Sequence, residues 1–246
     1  MKKAFLFGIS GKMGKMLVQC APSFGYEITG GFDAFPHPEI PTFDDVRNIN
    51  VPFDVIIDFS RPQTLTPLIS LADARKTPCV IATTGYNDSE LMSIRLLAKR
   101  VPVFRSGNTS LGIAATKAAA KAAQAILGDG FDIEIVEKHH NQKADSPSGT
   151  ALLLADALAP RDKQIINRDG KRNSGELGIT SVRGGGVVGE HEIGFYGEHE
   201  TVTISHSARS RELFAAGAFR AADFVLSAKP ALYDMDDVVA YLTNNK

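Results

Sequence analysis

Cysteine is scarce in this sequence, and neither sign of charge is in excess. Only Cys20 and Cys79 are present, both in mostly apolar surroundings, so a disulfide framework is not expected. The 27 lysines and arginines nearly balance the 28 aspartates and glutamates, which gives a formal net charge of -1. This balance removes the broad electrostatic case for binding nucleic acid or an anionic membrane surface. An anionic partner is therefore expected to be small and bound locally.

Long apolar runs are also absent. No run approaches the roughly 18 residues that a membrane helix needs. The opening MKKAFLFG reaches a glycine too soon to supply the apolar region of a signal peptide. We therefore expect a cytoplasmic protein. The chain has 246 residues, 43% of them hydrophobic, which is enough for one large domain or two smaller ones.

The first hundred residues alternate short apolar runs with amphipathic stretches. Continuous apolar runs are typical of strands that are buried on both faces of a parallel sheet, with helices as the crossovers. The predicted strands are 4–9, 27–33, 54–60, 79–84 and 101–107, with a helix over 13–24. This half of the chain therefore predicts an α/β fold, a Rossmann-type doubly wound parallel sheet.

The composition changes after Asn108. The elements predicted beyond it are helices over 112–127, 147–159 and 211–228, a strand over 131–140, and several strands over the glycine-rich 178–208. Ser146 is the expected N-cap of the second of these helices, with Pro147 at its first position. The polar segment 161–178 is expected to be an exposed excursion.

These patterns predict two domains. The dinucleotide-binding domain is expected to comprise 1–108, and the C-terminal 215–246 is expected to return to it. The second domain, 109–214, is expected to be α+β with a mixed or antiparallel sheet and to bind the substrate.

The first predicted strand runs into GISGKMGKM, which places Gly8, Gly11 and Gly14 between a strand and a helix. This spacing suits a pyrophosphate, because a helix N-terminus offers free N–H groups and a favourable dipole. It is equally typical of a plain tight turn, in which glycine supplies unusual backbone angles. Asp33 ends the second predicted strand, where a carboxylate binds the ribose hydroxyls of NAD in such folds, although a plain turn residue is the alternative.

Two more loops, ATTG at 82–85 and SGNTS at 106–110, fall at the C-terminal ends of predicted strands, where such sheets bind ligands. Their small side chains and backbone donors suit a nicotinamide and its carboxamide, although each also fits a plain polar loop. Three such loops at one edge predict a dinucleotide site. The residues assigned to it are Gly8, Ile9, Ser10, Gly11, Lys12, Met13, Asp33, Ala82, Thr83, Thr84, Ser106, Gly107, Asn108 and Thr109.

The segment EKHHNQKADSPSGTA at 137–151 carries the chemistry. His139, His140 and Lys143 lie within five residues, after a predicted strand and before a predicted helix, and differently solvated imidazoles and a lysine can donate a proton near neutral pH. The N–H groups that open the helix, at Ser148–Gly149–Thr150, suit a carboxylate. A hydride donor in one domain and this cationic pocket in the other predict a reductase of an anionic, unsaturated substrate.

Several alternatives apply to the same residues. An isolated histidine on a strand is usually structural, and a lone lysine is usually a solvated charge. His191, His199 and His206 offer further zinc ligands, but neither H-x-x-x-H on a helix nor C-x-x-C occurs, so no metal is predicted. A serine nucleophile is disfavoured because G-x-S-x-G is missing.

The same segment resembles the signature E-x-H-H-x-x-K-x-D-x-P-S-G-T-A of the dihydrodipicolinate reductase family. The resemblance extends along the chain through GISGKMG, DFSRP, ATTG, SGNTSLG, GEHE, ISHSARSR and LYDMDDVV. It implies that the glycine loop holds the cofactor pyrophosphate.

The resemblance also implies an activity, namely reduction of 4-hydroxy-tetrahydrodipicolinate to tetrahydrodipicolinate in lysine and diaminopimelate biosynthesis. His139 and Lys143 take the family's catalytic positions, while His140, Gly149 and Thr150 take positions that contact the small anionic dicarboxylate substrate. Family members use NADH or NADPH, pair a Rossmann domain with a mixed-sheet domain, and are usually homotetramers joined through the second domain.

Departures from the family pattern concern the cofactor. Ser10 stands where many members have glycine, Thr109 where an aromatic residue is common, and Ala34 where members that use NADPH often have arginine. We therefore expect NADH to be preferred, with NADPH tolerated through Lys12. Two alternatives remain at this level: a reductase of another anionic imine or enamine, and a catalytically silent NAD-binding sensor.

Overall fold

The computed structural model describes residues 1–244 and divides into two compact units. The first comprises Met1–Leu111 together with the chain from Arg211 onwards, and the second comprises Gly112–Ser210. Among the described residues, no helix combines the length and apolar character needed to cross a membrane.

Twelve strands and seven α-helices are found in the described residues. The strands are β1 (Lys2–Phe7), β2 (Tyr26–Phe32), β3 (Thr42–Phe43), β4 (Val55–Asp58), β5 (Cys79–Ile81), β6 (Val103–Arg105), β7 (Asp132–His139), β8 (Gln164–Ile166), β9 (Leu177–Arg183), β10 (Gly189–Tyr196), β11 (Thr201–Ala208) and β12 (Leu232–Tyr233). The helices are α1 (Lys12–Cys20), α2 (Leu65–Arg75), α3 (Asp88–Ala98), α4 (Leu111–Leu127), α5 (Gly149–Leu158), α6 (Glu212–Ser227) and α7 (Met235–Asn244).

The first unit is a parallel sheet in the order β12-β6-β5-β4-β1-β2-β3. Its central strands are buried on both faces, since neighbours such as Phe5 and Leu6 or Ile56 and Ile57 are all inaccessible to solvent. The chain leaves β1 towards β2 on one side, while β4 pairs with β1 on the other, so the order reverses beside β1. This is the predicted Rossmann-type sheet, and the reversal point is where such sheets bind ligands.

Three elements of this unit were not expected from the sequence. The tail forms α6 and then continues into β12 and α7, whereas a single helix over 211–228 was predicted. Strand β12 extends the sheet by pairing Leu232 with Val103. Strands β3 and β12 have two residues each, which is too short to produce an alternation that sequence patterns can detect.

The second unit is a mixed sheet in the order β11-β10-β7-β9-β8, as predicted. Strands β11, β10 and β7 run antiparallel, while β7, β9 and β8 run parallel. One face carries the buried Ile135, Ile179, Ile193 and Phe195, which pack in one core with residues of α4 and α5. The other face carries the polar or exposed alternate residues, as expected for period-two alternation.

The segment 161–178 is largely exposed, as its polar sequence predicted, but part of it is anchored. It contains β8, and Arg168 and Arg172 are held in an ion-pair cluster with 18% and 19% of their side chains exposed. Arg168 pairs with Glu176 and with Glu134 of β7, and Arg172 also pairs with Glu134. These ion pairs anchor the largely exposed segment to β7.

Helix α6 packs against the segment that precedes α4 through a glycine. A Cβ atom at Gly217 would lie 1.6 Å from the backbone oxygen of Thr109, far inside van der Waals contact. The Thr109 hydroxyl also donates to the backbone oxygen of Phe214, at 2.8 Å. The returning helix is therefore held by backbone contacts that leave no room for a side chain.

We predict that Gly217→Ala destabilises the first unit, because the added methyl group forces α6 away from Thr109. Overpacking of this kind costs about 1–3 kcal/mol. Thermal unfolding monitored by circular dichroism tests this against Gly130→Ala, where an added Cβ meets nothing within 4 Å. Equal melting temperatures for the two variants would contradict the packing described.

Candidate active site

The C-terminal end of β7 and the beginning of α5 meet in the second unit. Alternation along β7 buries Glu137 and His139 on one face and exposes Lys138 on the other. Ser148 is the N-cap of α5, and its Oγ accepts from the N–H of Ala151 at 3.1 Å. The predicted N-cap, Ser146, is wrong by two residues, because Ser148 is the extended residue whose hydroxyl reaches the first turn.

Glu137 is completely buried and accepts four hydrogen bonds. Its Oε2 accepts from Nδ1 of His139 at 2.5 Å and from Nη1 of Arg183 at 2.9 Å. Its Oε1 accepts from Nη2 of Arg183 at 2.7 Å and from the backbone N–H of Ser148 at 3.0 Å. The carboxylate thus joins β7, β9 and the start of α5.

The electrostatics of this cluster follow from its contacts. Burial raises the pKa of the Glu137 carboxyl, but its hydrogen bonds, above all those from Arg183, outweigh burial and lower the pKa to about 2. Burial lowers the pKa of His139 below its ordinary value, and the partly opposing effect of Glu137 does not cancel it. Glu137 is therefore a carboxylate at neutral pH, next to an imidazole that titrates below 6.5.

A second histidine lies against this pair. The rings of His139 and His191 meet edge to face with centroids 5.2 Å apart, and Nε2 of His191 lies 3.1 Å from the hydroxyl of Ser148. Burial lowers the pKa of His191 to about 4, so it is neutral at pH 7. His206 lies opposite His191 in the β10–β11 register, whereas His199 is exposed in the turn between these strands.

Metal binding gains no support from these histidines. In the part of the chain that the structure describes, no three His, Cys, Asp or Glu side chains are placed to hold a metal ion. His191 and His206 instead lie on the buried face of the sheet.

Lys143 lies in the loop that follows β7, with only 21% of its side chain exposed. Its Nζ donates to both carboxylate oxygens of Asp145, at 2.7 and 3.0 Å. Burial raises the pKa of Asp145, but Lys143 and the backbone N–H groups of Asp145 and Gly149 lower it overall. A carboxylate is therefore already held between Lys143 and the beginning of α5.

The other residues expected to contact the substrate surround the same loop. His140 is half-buried and follows β7 directly, and its backbone oxygen accepts from the N–H of Lys143 at 3.1 Å. Gly149 and Thr150 are the first two residues of α5, where backbone N–H groups precede the intrahelical ladder. The second unit thus brings His139, His140, Lys143, Gly149 and Thr150 together.

The glycine loop of the first unit forms a close turn. Gly8 has φ of 82°, and a Cβ at Gly14 would lie 2.2 Å from the backbone oxygen of Gly8. Both positions therefore require glycine, because α1 begins directly against the end of β1. The turn leaves the N-terminus of α1 open beside β1.

A cavity of about 630 Å³ lies beside this turn. Asp33 lines it and is held in place, since its carboxylate accepts from the N–H of Ser10 at 3.0 Å and from the N–H of Phe35 at 3.2 Å. Lys15 also lines the cavity, whereas Lys12 does not. Of the predicted cofactor residues, those that line it are Gly8, Ser10, Gly11 and Asp33.

The other predicted cofactor residues lie outside this cavity. Ile9 and Thr109 are buried, and Met13 is half-buried in α1. Ala82, Thr83 and Thr84 follow β5, and the Thr83 hydroxyl accepts from the N–H of Ser60 at 2.9 Å. Ser106, Gly107 and Asn108 follow β6.

Several residues of the two sites were missed from sequence. Phe59, Ser60 and Arg61 line the cavity after β4; they lie within the DFSRP motif, but no role was predicted for them. Glu137 and Arg183 were missed because their partnership joins residues 46 positions apart. Such a distance leaves no periodic signal in one sequence.

The fold and the sites define the class of protein. One unit is a Rossmann-type parallel sheet with a close glycine turn, and the other is a mixed-sheet unit that carries acid–base groups. This is the organisation of a two-domain oxidoreductase. Family models give the particular assignment. The model described as dihydrodipicolinate reductase, N-terminus, matches residues 2–109, and that described as dihydrodipicolinate reductase, C-terminus, matches 112–239. The chain belongs to the dihydrodipicolinate reductase family and is an oxidoreductase.

Individual relatives agree with this assignment. The chain is 44% identical to a 4-hydroxy-tetrahydrodipicolinate reductase of Caldanaerobacter subterraneus subsp. tengcongensis, over 97% of this chain and 98% of the relative. It is 43% identical to that of Clostridium botulinum, with the same two coverages. A solved structure of dipicolinate-bound dihydrodipicolinate reductase from Paenisporosarcina sp. TG-14 superposes with a TM-score of 0.79 at 27% identity, covering 95% of this chain and 97% of that one.

We predict that Arg183→Met lowers the free energy of unfolding at pH 7 by about 3 kcal/mol, because it leaves the buried Glu137 carboxylate without its main partner. The folded-state pKa of Glu137, about 2, lies below its ordinary 4.5. Its ionisation therefore stabilises the fold above pH 4.5, and this contribution is lost as the pH falls towards 2. The difference between parent and variant is expected to shrink on acidification.

Urea denaturation at several pH values measures this difference. Arg161→Met is the matched control, because Arg161 pairs with Asp156 at the surface, where such a pair contributes about 0–1 kcal/mol. A loss for Arg183→Met that is no larger than that for Arg161→Met, or that does not change with pH, would contradict the buried pair.

Proposed function

We propose that this chain catalyses the reduction of 4-hydroxy-tetrahydrodipicolinate to tetrahydrodipicolinate, with NADH or NADPH, as a step of lysine and diaminopimelate biosynthesis. The observation that carries the proposal is the grouping of His139, Lys143 and the beginning of α5 around one loop, where Lys143 and Gly149 already hold a carboxylate. The names of the relatives that span almost the whole chain support it.

We propose that the first unit binds the cofactor. Its cavity has the right chemistry for the adenosine part of a dinucleotide: a close glycine turn at a helix N-terminus for phosphate and the Asp33 carboxylate for ribose hydroxyls. When bound, the cofactor supplies a hydride. The loops after β5 and β6, which contain Ala82–Thr84 and Ser106–Thr109, are proposed for its nicotinamide part.

The second unit is proposed to bind the dicarboxylate substrate. A relative was solved with dipicolinate bound, which is a flat ring with two carboxylates. Lys143, His140 and the N–H groups of Gly149 and Thr150 provide cationic and polar donors for one carboxylate. Asp145 holds that place in the structure, so substrate binding is proposed to release Lys143 from Asp145.

The residues of the second unit are proposed to transfer protons during the reaction. Loss of the ring hydroxyl as water gives a conjugated imine, and hydride addition at its far carbon leaves an enamine. The enamine takes one proton on the neighbouring carbon, so the net change is addition of a hydride and a proton and release of water. Lys143 is proposed to donate that proton and His139 to act as a proton donor and acceptor, and the positive charge of Lys143 stabilises the electron density that develops in the ring.

NADH is the proposed preferred cofactor. Asp33 lies in the cavity with its carboxylate fixed by Ser10 and Phe35, and a carboxylate there repels a 2′-phosphate. Lys15 is better placed than Lys12 to soften that repulsion, because Lys15 lines the cavity.

We predict a lower Kd for NADH than for NADPH, and Asp33→Asn should narrow the gap by removing the repelling charge. Fluorescence titration of parent and variant measures all four constants. Asp44→Asn, also at the cavity wall, is the control for a general loss of negative charge. A hundredfold preference of the parent for NADPH would contradict the assignment of Asp33.

The remaining proposals concern assembly and location. The face of the second sheet opposite its core exposes apolar side chains, with Val182 44% and Tyr196 41% exposed, and we propose that homotetramers form through this domain. Cys20 and Cys79 are free thiols, which fits the proposed reducing cytoplasm. The proposed partners are small molecules and copies of this chain. Neither nucleic acid nor a membrane is proposed as a partner.

A silent NAD-binding sensor is the second candidate, favoured only by the cavity of the first unit. Such a protein has no use for the His139 and Lys143 cluster. Turnover therefore distinguishes the two candidates.

We predict that Lys143→Ala lowers kcat/KM by about 10²–10⁴-fold, the usual contribution of a positioned general acid. The NADH Kd should stay within a factor of three, because the proposed cofactor residues belong to the first unit. Steady-state kinetics with a separate NADH titration measures both. Lys138→Ala is the control, since Lys138 is exposed on β7, the strand that precedes the loop of Lys143, and pairs with Glu190. If Lys143→Ala keeps kcat/KM within threefold of the parent value, Lys143 is not the proton donor and is a solvated charge instead.

A further inference from the structure

We propose that Glu137 is a positioning residue, which fixes the tautomer and the orientation of His139 so that Nε2 of His139 faces the reacting ring. The proposal rests on the proposed function, because it takes His139 as a group that exchanges a proton with the substrate. Glu137 itself is proposed to touch neither substrate nor cofactor.

The geometry defines the tautomer. An ionised carboxylate only accepts hydrogen bonds, so the 2.5 Å contact of Glu137 Oε2 with Nδ1 of His139 places a proton on Nδ1. The other ring nitrogen, Nε2, is then the one that gains and loses a proton during the reaction. Residues two apart on a strand share one face, which is why Glu137 and His139 meet.

Arg183 fixes the position of the Glu137 carboxylate and keeps it ionised. Its guanidinium binds both oxygens of Glu137, at 2.7 and 2.9 Å, and arginine keeps its charge at any working pH. The N–H of Ser148 adds a further bond, so the carboxylate cannot rotate away from His139 without breaking contacts to β9 and α5. The ring of His139 is thereby held from one side.

The opposite side of the ring is kept clear by a glycine. A Cβ at position 189 would lie 3.0 Å from Nε2 of His139, closer than ordinary contact allows. Gly189 on β10 thus leaves space at the nitrogen that the Glu137 contact makes reactive.

Titratable groups on the neighbouring elements surround this imidazole. Burial is the largest effect and lowers the pKa of His139; Glu137 raises it, and Lys143 and Arg183 lower it. His191 of β10 is neutral and contacts the ring edge, with His206 of β11 beyond it. Glu137 is the group that opposes burial, so loss of its charge should lower the pKa of His139 further.

Glu137→Gln tests the proposal, because glutamine keeps the shape and loses the charge. The double variant Glu137→Gln/Arg183→Gln removes both charges and leaves no buried ion unpaired. The control is Glu134→Gln, which breaks ion pairs with Arg168 and Arg172 on the same strand but on the opposite face. Thermal melting verifies that each variant is folded.

Two readouts are needed, and only one depends on activity. Nuclear magnetic resonance of the imidazole ring measures the pKa of His139 in the free protein, and we expect a fall of about one unit or more in both Glu137 variants and no change in the control. Kinetics should show kcat about tenfold or more lower at pH 7, with the high-pH limb of the profile moved to lower pH. The NADH Kd should be unchanged.

The two proposals fail differently. An unchanged pKa and tautomer of His139 in both Glu137 variants would overturn the positioning role, whatever happens to turnover. A lowered pKa with unchanged kcat would support the positioning role and would instead remove His139 from the proposed mechanism.

Discussion

A buried carboxylate is stable only where donors surround it, and the second unit is organised around one such group. Glu137 takes hydrogen bonds from His139, Arg183 and Ser148, which belong to or directly precede three different elements. Its burial would otherwise cost several kcal/mol, on the order of the penalty for an unpaired ion in a protein interior. The same contacts therefore hold β7, β9 and α5 together and set the chemistry of His139.

The first unit depends on a steric constraint rather than on charge. Helix α1 begins so close to the end of β1 that Gly8 and Gly14 admit no side chain. This closeness exposes the helix N-terminus beside Asp33, whose carboxylate is tied to Ser10 and Phe35. The tight turn and the phosphate site are therefore not alternatives, because the close turn creates the phosphate-binding geometry that we propose.

Patterns confined to a few residues were sufficient to predict much of this molecule. Apolar runs predicted the parallel sheet, and alternation predicted that Glu137 and His139 lie on a strand ending at the site. The N-cap was placed at Ser146 because a serine before a proline is a common helix start, whereas the hydroxyl of Ser148 makes the bond. The Glu137–Arg183 pair and strand β12 could not be predicted, because each depends on residues brought together only by the fold.

Isotope transfer shows most directly whether this chain reduces the ring of 4-hydroxy-tetrahydrodipicolinate, as we propose. The substrate is formed freshly from aspartate semialdehyde and pyruvate and mixed with the protein and NADH that carries deuterium at both C4 positions. Tetrahydrodipicolinate is expected to accumulate with one deuterium for each cofactor oxidised, as measured by mass spectrometry. Cofactor oxidation no faster than in a protein-free blank, or product without deuterium, would contradict this proposal.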